Sequence, residues 1–426
     1  MTASIKPTAP AANASLNTWI EYLLAIHPTE IDMGLTRVSN VAARLGLTML
    51  GATKVVTVAG TNGKGTTCAM VEAALLLSGK TVGVYSSPHL LHYNERVRIN
   101  GVDASDIELI KAFEAIETAR ADISLSFFEY ATLAGLVLFK QAKLDVVLLE
   151  VGLGGRLDAT NLIDADISVV TSIDLDHQEY LGDTRELVAV EKAGVFRAGR
   201  PAIVGEPDCP QTLIDYAQHL SANLYRVGHQ FSYQCDTNSW HYKGHVFELN
   251  ALPLPQLPQP NAATAIAVLE HLCPAIAPEL VAKAVGQTQL AGRLEYVNQQ
   301  PTVMVDVAHN PHAARYLRSR LNKVAKQRLF AICGMLKDKD AAAVLSELSD
   351  DITHWYLTDL DVARGSEATA LKALLPANSQ ATCFNRLSAA WNAVKQDAKA
   401  DDAVIVFGSF YTVAGFKELL KGERFV

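Results

Sequence analysis

KVVTVAGTNGKGTTCAMVEAALLLSGKTVGVYSS, residues 54–87, reads as a β-branched strand, a glycine-rich turn, an amphipathic helix closed by Gly79 and a second strand. Such a βαβ unit sets its two strands parallel. Further β-branched runs at 144–151 (LDVVLLEV), 167–173 (ISVVTSI) and 201–205 (PAIVG) alternate with helical stretches. The first domain is therefore expected to be an α/β domain, a P-loop-type, mostly parallel sheet with helices on both faces. Across residues 223–249 apolar and polar side chains alternate, which predicts short antiparallel strands at a sheet edge or in a subsheet, away from function. The proline-rich ALPLPQLPQP that follows excludes a regular helix and hands over at Asn261, expected near a helix cap.

A second array starts near Thr302, with strand candidates TVMVDVA, LFAICGM, HWYLTDL, ATCFN and AVIVFGS between helical segments. It predicts a smaller, Rossmann-like α/β carboxyl-terminal domain, giving domains 1–296 and 297–426 with a ligand cleft between them. The length of 426 residues agrees with two or three domains.

Hydrophobic residues make up 49% and charged residues 19%, as in ordinary globular chains. The net charge of -8 is spread without a basic tract, which argues against a nucleic-acid binder. No apolar run approaches the roughly 20 residues of a membrane span, and the first residues carry no signal-peptide core, so a soluble cytoplasmic protein is expected. Cys68, Cys209, Cys235, Cys273, Cys333 and Cys383 show neither C-x-x-C pairs nor zinc spacing with histidines, and read as packing residues in a reducing compartment.

The turn Gly60-Thr61-Asn62-Gly63-Lys64-Gly65-Thr66 lies between strand and helix, where backbone N–H groups and the helix dipole hold a polyphosphate and Lys64 meets its β and γ phosphates. A glycine follows the lysine, so this is a variant of the common phosphate-loop spacing. Glu150 ends a strand and delivers a carboxylate to the carboxyl edge of the sheet, a suitable Mg2+ ligand. Ser87 and the pair Asp176-His177 follow two further strands and should meet the same rim. Lys192, in a helical segment, reads on its own as a solvated cation. In the second array Asp306-Val-Ala-His309 ends the first strand, Arg293 precedes the boundary, and Ser409 follows the last strand.

GTNGKGT, SSPH, EVGLGGRLDATN, DH, EKAG, GR and DVAHNP, in this order, resemble the folylpolyglutamate synthase and dihydrofolate synthase family of the Mur ligase superfamily. The likeness runs from about residue 15 to the carboxyl terminus, and Ile31 to Leu35 with Ser126 to Glu129 look most like its bifunctional bacterial members. What it implies is an ATP- and pterin-binding first domain and a glutamate-ligase second domain, in a monomer.

By the same resemblance ATP is held by Thr61 to Lys64 with Asn261, Arg293 and Asp306, and Mg2+, two ions, by Ser87, Glu150 and His177. Lys192 is the position of a carbamylated lysine, and a monovalent cation is a further cofactor to consider. Ile31, Asp32, Met33, Ser126, Phe127, Phe128, Glu129, Leu157, Asp158 and Ala159 are implied to form the pterin pocket; His309 and Ser409 are placed at the glutamate site. Lys64, Lys192, His177 and His309 are the residues expected to act in the chemistry.

The implied reaction is ligation of L-glutamate to dihydropteroate and to reduced folates through an acyl phosphate, with His309 the candidate base. Three other readings stay open in the sequence: a folylpolyglutamate synthase without dihydropteroate activity, a Mur-type ligase acting on a nucleotide-linked precursor, and a nucleotide-dependent switch that ligates nothing.

Overall fold

The computed structural model describes residues 8–11, 13–29, 31–324 and 326–422. Residues 1–7, part of the stretch read for a signal-peptide core, lie outside the described residues. The chain forms two compact units, 1–288 and 289–426.

Among the described residues the first unit is built on an eight-stranded sheet. Its strands are β1 (Lys54–Ala59), β2 (Val82–Tyr85), β3 (Val97–Ile99), β4 (Val102–Asp103), β5 (Val146–Glu150), β6 (Ile167–Val170), β7 (Pro201–Val204) and β8 (Asn223–Arg226). Their order is β4-β3-β2-β5-β1-β6-β7-β8, parallel except for the β2-β3-β4 hairpins at one edge. The chain leaves β1 toward β2 and leaves β6 toward β7, in opposite directions across the sheet. Right-handed crossovers therefore open a crevice at the carboxyl ends of β1 and β6, where ligands of such sheets bind.

One sheet face, carrying Val55, Tyr85, Val147 and Leu149, packs on helices Leu16–Ala25, Thr36–Arg44, Asp106–Arg120 and Phe127–Ala142. Helix Lys64–Leu77 packs with Gln259–Leu272 and Pro278–Gln287. Strands β1, β2, β5, β6 and β7 are buried almost throughout, which is why they read as continuous apolar runs.

The alternating stretch 223–249 divides between two sheets. Its first part, β8, adds to the main sheet in parallel, against the antiparallel expectation. The remainder contributes β9 (Ser232–Cys235), β10 (Ser239–Lys243) and β11 (Glu248–Pro253) to a three-stranded antiparallel subsheet. The next helix starts at Gln259, ahead of the expected cap at Asn261, because Pro260 supports its first turn.

The second unit has a six-stranded sheet of β12 (Glu295–Gln299), β13 (Thr302–Asp306), β14 (Leu329–Cys333), β15 (His354–Thr358), β16 (Ala381–Phe384) and β17 (Ala403–Phe407). Its order is β12-β13-β17-β14-β15-β16, with only β12 antiparallel. The division falls between Thr288 and Gln289, ahead of residue 296, since β12 pairs with β13 and belongs to this sheet.

Candidate active site

The loop after β1 owes its shape to two glycines. Gly60 has φ +149°, and a Cβ there would meet Thr171 Oγ1 at 1.9 Å. Gly63 has φ +87° at the start of helix Lys64–Leu77, and a Cβ would meet the Asn261 amide at 2.5 Å. No side chain fits either position without displacement. Between them the loop is pinned to the end of β6. Thr61 N donates to Ser172 O (2.9 Å), Thr61 Oγ1 to Asp174 O (2.9 Å) and Asn62 N to Ser172 Oγ (3.0 Å). Thr171 Oγ1 donates to Asn62 O (2.6 Å).

Lys64 is half-buried and folds over this loop, its Nζ donating to Gly60 O at 2.9 Å. Asn261 Nδ2 donates to Thr66 Oγ1 (2.6 Å), and Thr66 Oγ1 to Gly63 O (2.9 Å). The loop thus presents its backbone and a cation at a helix N-terminus, as a polyphosphate requires.

The neighbouring strand ends supply the rest of the rim. Glu150, 7% exposed, ends β5 beside Val58 of β1. Its Oε2 accepts from Ser87 N (3.4 Å), which brings Ser87 and Glu150 together. The Ser87–Pro88 peptide is cis. His177 adopts φ +50° after β6, and its N donates to Asp176 Oδ1 at 3.0 Å.

Among the described residues no three His, Cys, Asp or Glu side chains gather into a cage. A buried carboxylate beside a serine suits a hard cation that takes its remaining oxygens from water and phosphate. Lys192 is 3% exposed, so the solvated cation expected of a helical lysine is not found. Its helix, Arg185–Ala193, turns that side chain inward. Burial, and then the charge of Lys64, push its ammonium down to about 7, with Asp176 and Asp158 opposing.

The three segments read as a pterin pocket also come together. Gly34 N donates to Leu157 O (3.3 Å). Arg37 bonds Asp32 Oδ2 (2.8 Å) and Glu129 Oε1 (3.3 Å), tying Ile31-Asp32-Met33 to the helix that starts at Phe127. Phe128 lies against Gly152, where a Cβ would meet its ring at 2.6 Å, and its ring centroid is 5.9 Å from that of Tyr85.

Most polar atoms of these segments serve each other. Ser126 and Glu129 form a capping box, Ser126 N donating to Glu129 Oε2 (2.7 Å) and Glu129 N to Ser126 Oγ (3.3 Å). Asp158 accepts four hydrogen bonds, from Gly152 N (3.0 Å), Leu153 N (2.9 Å), Thr160 N (2.9 Å) and Thr160 Oγ1 (2.6 Å). Leu157 and Ala159 flank it, with Ala159 buried at the start of a short 3-10 turn.

In the second unit β13 and β17 are neighbours, so Asp306 pairs with Phe407 and the loops after them adjoin. Asp306 is half-buried and accepts from Leu294 N and Ala308 N, both at 2.8 Å. Burial raises its pKa while Arg293 opposes the shift. Arg293 lies over the Phe410 ring, 5.1 Å from the centroid, and His309 is 6.4 Å from the same ring. His309 Nδ1 bonds Val307 O at 2.8 Å. Ser409 caps the last helix through Thr412 N (3.0 Å).

Several residues of the first-unit site had no local signal. Arg37 acts on Glu129 across 92 positions, and Thr171, Ser172 and Asp174 read only as the end of a strand. The strand-end pattern that picked out Asp176-His177 is the one feature that pointed to them.

The Mur ligase middle-domain model matches residues 58–251, and the Mur ligase glutamate ligase domain model matches residues 292–410. The dihydrofolate synthase/folylpolyglutamate synthase of Escherichia coli is 48% identical over 97% of this chain and 98% of its own length. The structure of the Escherichia coli protein in complex with DHPP and ADP matches with TM-score 0.94 and 48% identity, covering 97% of this chain and 99% of that one. A bifunctional folylpolyglutamate synthase/dihydrofolate synthase with Mn, AMPPNP and L-glutamate bound matches with TM-score 0.92 and 48% identity over 97% and 100%. With the phosphate loop, the strand-end carboxylate and both domain matches in the expected order, the chain belongs to the dihydrofolate synthase/folylpolyglutamate synthase family of Mur ligases.

Proposed function

We propose that the protein uses ATP to join L-glutamate to dihydropteroate, giving dihydrofolate, and to reduced folates, giving folylpolyglutamates. The observation that carries this reading is the meeting, at one sheet edge, of the phosphate loop, the Ser87–Glu150 contact and the buried Lys192. A carboxylate oxygen of the acid attacks the γ-phosphorus, the bond to ADP breaks, and an acyl phosphate forms. The deprotonated amine of glutamate then attacks the acyl carbon; the amide bond forms and inorganic phosphate leaves. No protein nucleophile takes part, so catalysis is positioning and charge neutralisation.

Lys64 offsets charge on the β and γ phosphates, and Gly60 to Thr66 hold them with backbone N–H groups. Asn261, Arg293 and Asp306 complete the ATP set in this reading. Ser87, Glu150 and His177 are the residues for two Mg2+ ions, which when bound neutralise the polyphosphate. An amine with pKa about 7 is about half unprotonated at neutral pH and open to CO2; in carbamylation the neutral Lys192 amine would form an N–C bond with CO2 and release one proton, leaving an anion.

His309 donates through Nδ1–H to Val307 O, so its lone pair resides on Nε2, the tautomer needed to accept the proton of the glutamate amine. Ser409 joins it at the glutamate site. Ile31 to Met33, Ser126 to Glu129 and Leu157 to Ala159 enclose the pterin. A cytoplasmic monomer, with a monovalent cation as a further cofactor to test, completes the reading. Among the described residues no helix is long and apolar enough to cross a membrane.

The test is phosphate release by the purified protein with ATP, Mg2+ and glutamate, adding dihydropteroate in one sample and a reduced folate in another. Release with both is expected. Release with the folate alone would leave a folylpolyglutamate synthase, and release with neither would overturn the ligase reading.

A further inference from the structure

Arg96 is only 7% exposed, yet its partners are all neutral. Its Nε donates to His89 Nδ1 at 2.9 Å, and its Cζ lies 5.6 Å from the Tyr93 ring centroid and 5.2 Å from that of Phe127. Among the described residues no carboxylate forms an ion pair with it. The contrast with Arg37, Arg98 and Arg120 is direct, because each of those pairs with a glutamate or aspartate. Taking a guanidinium out of water without an anion is costly, and aromatic faces return only part of that cost. A buried, unmatched cation beside a proposed ligand pocket is completed by an anionic ligand.

Its surroundings say which anion. Arg96 O accepts from Ser86 N (3.0 Å), and Glu95 Oε atoms accept from Leu90, Leu91 and His92 N at 2.6–2.8 Å, so the loop of Ser87 is fixed around it. Ser87, next to Ser86, touches Glu150. Phe127, whose ring lies under the guanidinium, opens the helix whose first turn belongs to the proposed pterin pocket. Arg96 thus adjoins both the segment of Ser87 and the pterin-side helix, where the acidic end of a pterin-bearing acid would approach the phosphate loop.

We propose that Arg96 binds the carboxylate of the pterin-bearing acid and keeps hold of it as the acyl phosphate. The inference rests on the pterin-pocket reading of the neighbouring segments. With Nε used by His89 and the Tyr85 hydroxyl within hydrogen-bonding range, the planar guanidinium still has N–H groups to offer a carboxylate or phosphate oxygen, a match that the point charge of lysine reproduces only in part. Neutralising the acid also lowers its repulsion from the γ-phosphate it attacks.

The experiment is calorimetric titration of wild type, Arg96→Met and Arg96→Lys, with Mg2+ and a non-hydrolysable ATP analogue present. Two ligands are compared: dihydropteroate, and the 6-anilinomethyl dihydropterin that lacks its carboxylate. Dihydropteroate should bind Arg96→Met about 10- to 100-fold more weakly than wild type and Arg96→Lys by less, while the uncarboxylated ligand binds all three alike. Equal weakening of both ligands, or of neither, would overturn the proposal, since a purely structural arginine cannot discriminate between them. If Arg96→Met does not fold, Arg96→Lys carries the same comparison. Wild type that binds neither ligand would overturn the pterin-pocket reading together with this inference, whereas the other failures strike Arg96 alone.

Discussion

The phosphate loop and the pterin-side segments sit on one unit and solve opposite problems. In residues 60–66 the backbone is immobilised from outside, by Ser172 and Asp174 at the end of β6 and by Asn261, and in the proposed site the N–H groups at the helix start and the Lys64 ammonium face the polyphosphate. In Ile31-Asp32-Met33, Ser126 to Glu129 and Leu157 to Ala159, many of the polar side-chain atoms are spent on the protein itself. Asp158 takes four hydrogen bonds from its own loop, and Glu129 divides its carboxylate between Ser126 and Arg37. The first region binds with what it exposes; the second shapes a wall. Substitutions should therefore damage turnover in the loop and stability in the wall.

The largest effect is expected from Lys64→Ala. Its ammonium is the cation closest to the polyphosphate in the proposed site, and loss of one such stabilising group costs about 100- to 1000-fold in kcat. Steady-state phosphate release should show that loss with the unfolding midpoint little changed. A variant that instead unfolds early while turning over normally would erase the contrast between the two regions.

Asp158→Asn reverses the pattern. Whichever way its amide turns, an NH2 group faces backbone donors that now bond a carboxylate, either Gly152 and Leu153 or Thr160. Leaving such buried donors unmatched should lower stability by about 3 kcal/mol, read from denaturant unfolding at constant m-value. Unchanged stability with a raised dihydropteroate KM would mean that Asp158 meets the ligand directly.

The difference between the regions also explains what the sequence disclosed. β1, the glycine turn and the following helix are local, contiguous features, so their spacing declares both the fold and the phosphate site. Glu150 and His177 could be placed because strand ends share an edge in a parallel sheet. The burial of Lys192 is not legible in EKAG, because nothing there tells which side of its helix faces the core; a buried lysine and a solvated one share the same local pattern. Arg37 was invisible for a similar reason, since its carboxylate partner lies 92 residues away. Ser126-Phe-Phe-Glu129 carries a signal of its own, the S-x-x-E capping box, which announces a helix start independently of any pocket. The antiparallel edge strand β12 pairs with β13, a pairing that nothing local in residues 295–299 announces.

The smallest effect tests that capping box. Ser126 Oγ accepts from Glu129 N at 3.3 Å, a long bond, while the reciprocal bond from Ser126 N to Glu129 Oε2 is short at 2.7 Å and involves the charged partner. Ser126→Ala removes only the longer bond, so it should cost about 1 kcal/mol, at the ordinary value for an N-cap. Ser126→Thr keeps a hydroxyl of the same reach and should restore most of it. Neither change touches the phosphate loop, so KM for ATP should stay at the wild-type value in both. If Ser126→Ala abolishes dihydropteroate binding at unchanged stability and Ser126→Thr fails to rescue it, the hydroxyl belongs to the ligand and not to the helix. The pterin side would then bind through exposed polar groups just as the phosphate loop does, and the distinction between a binding region and a shaping region would fall.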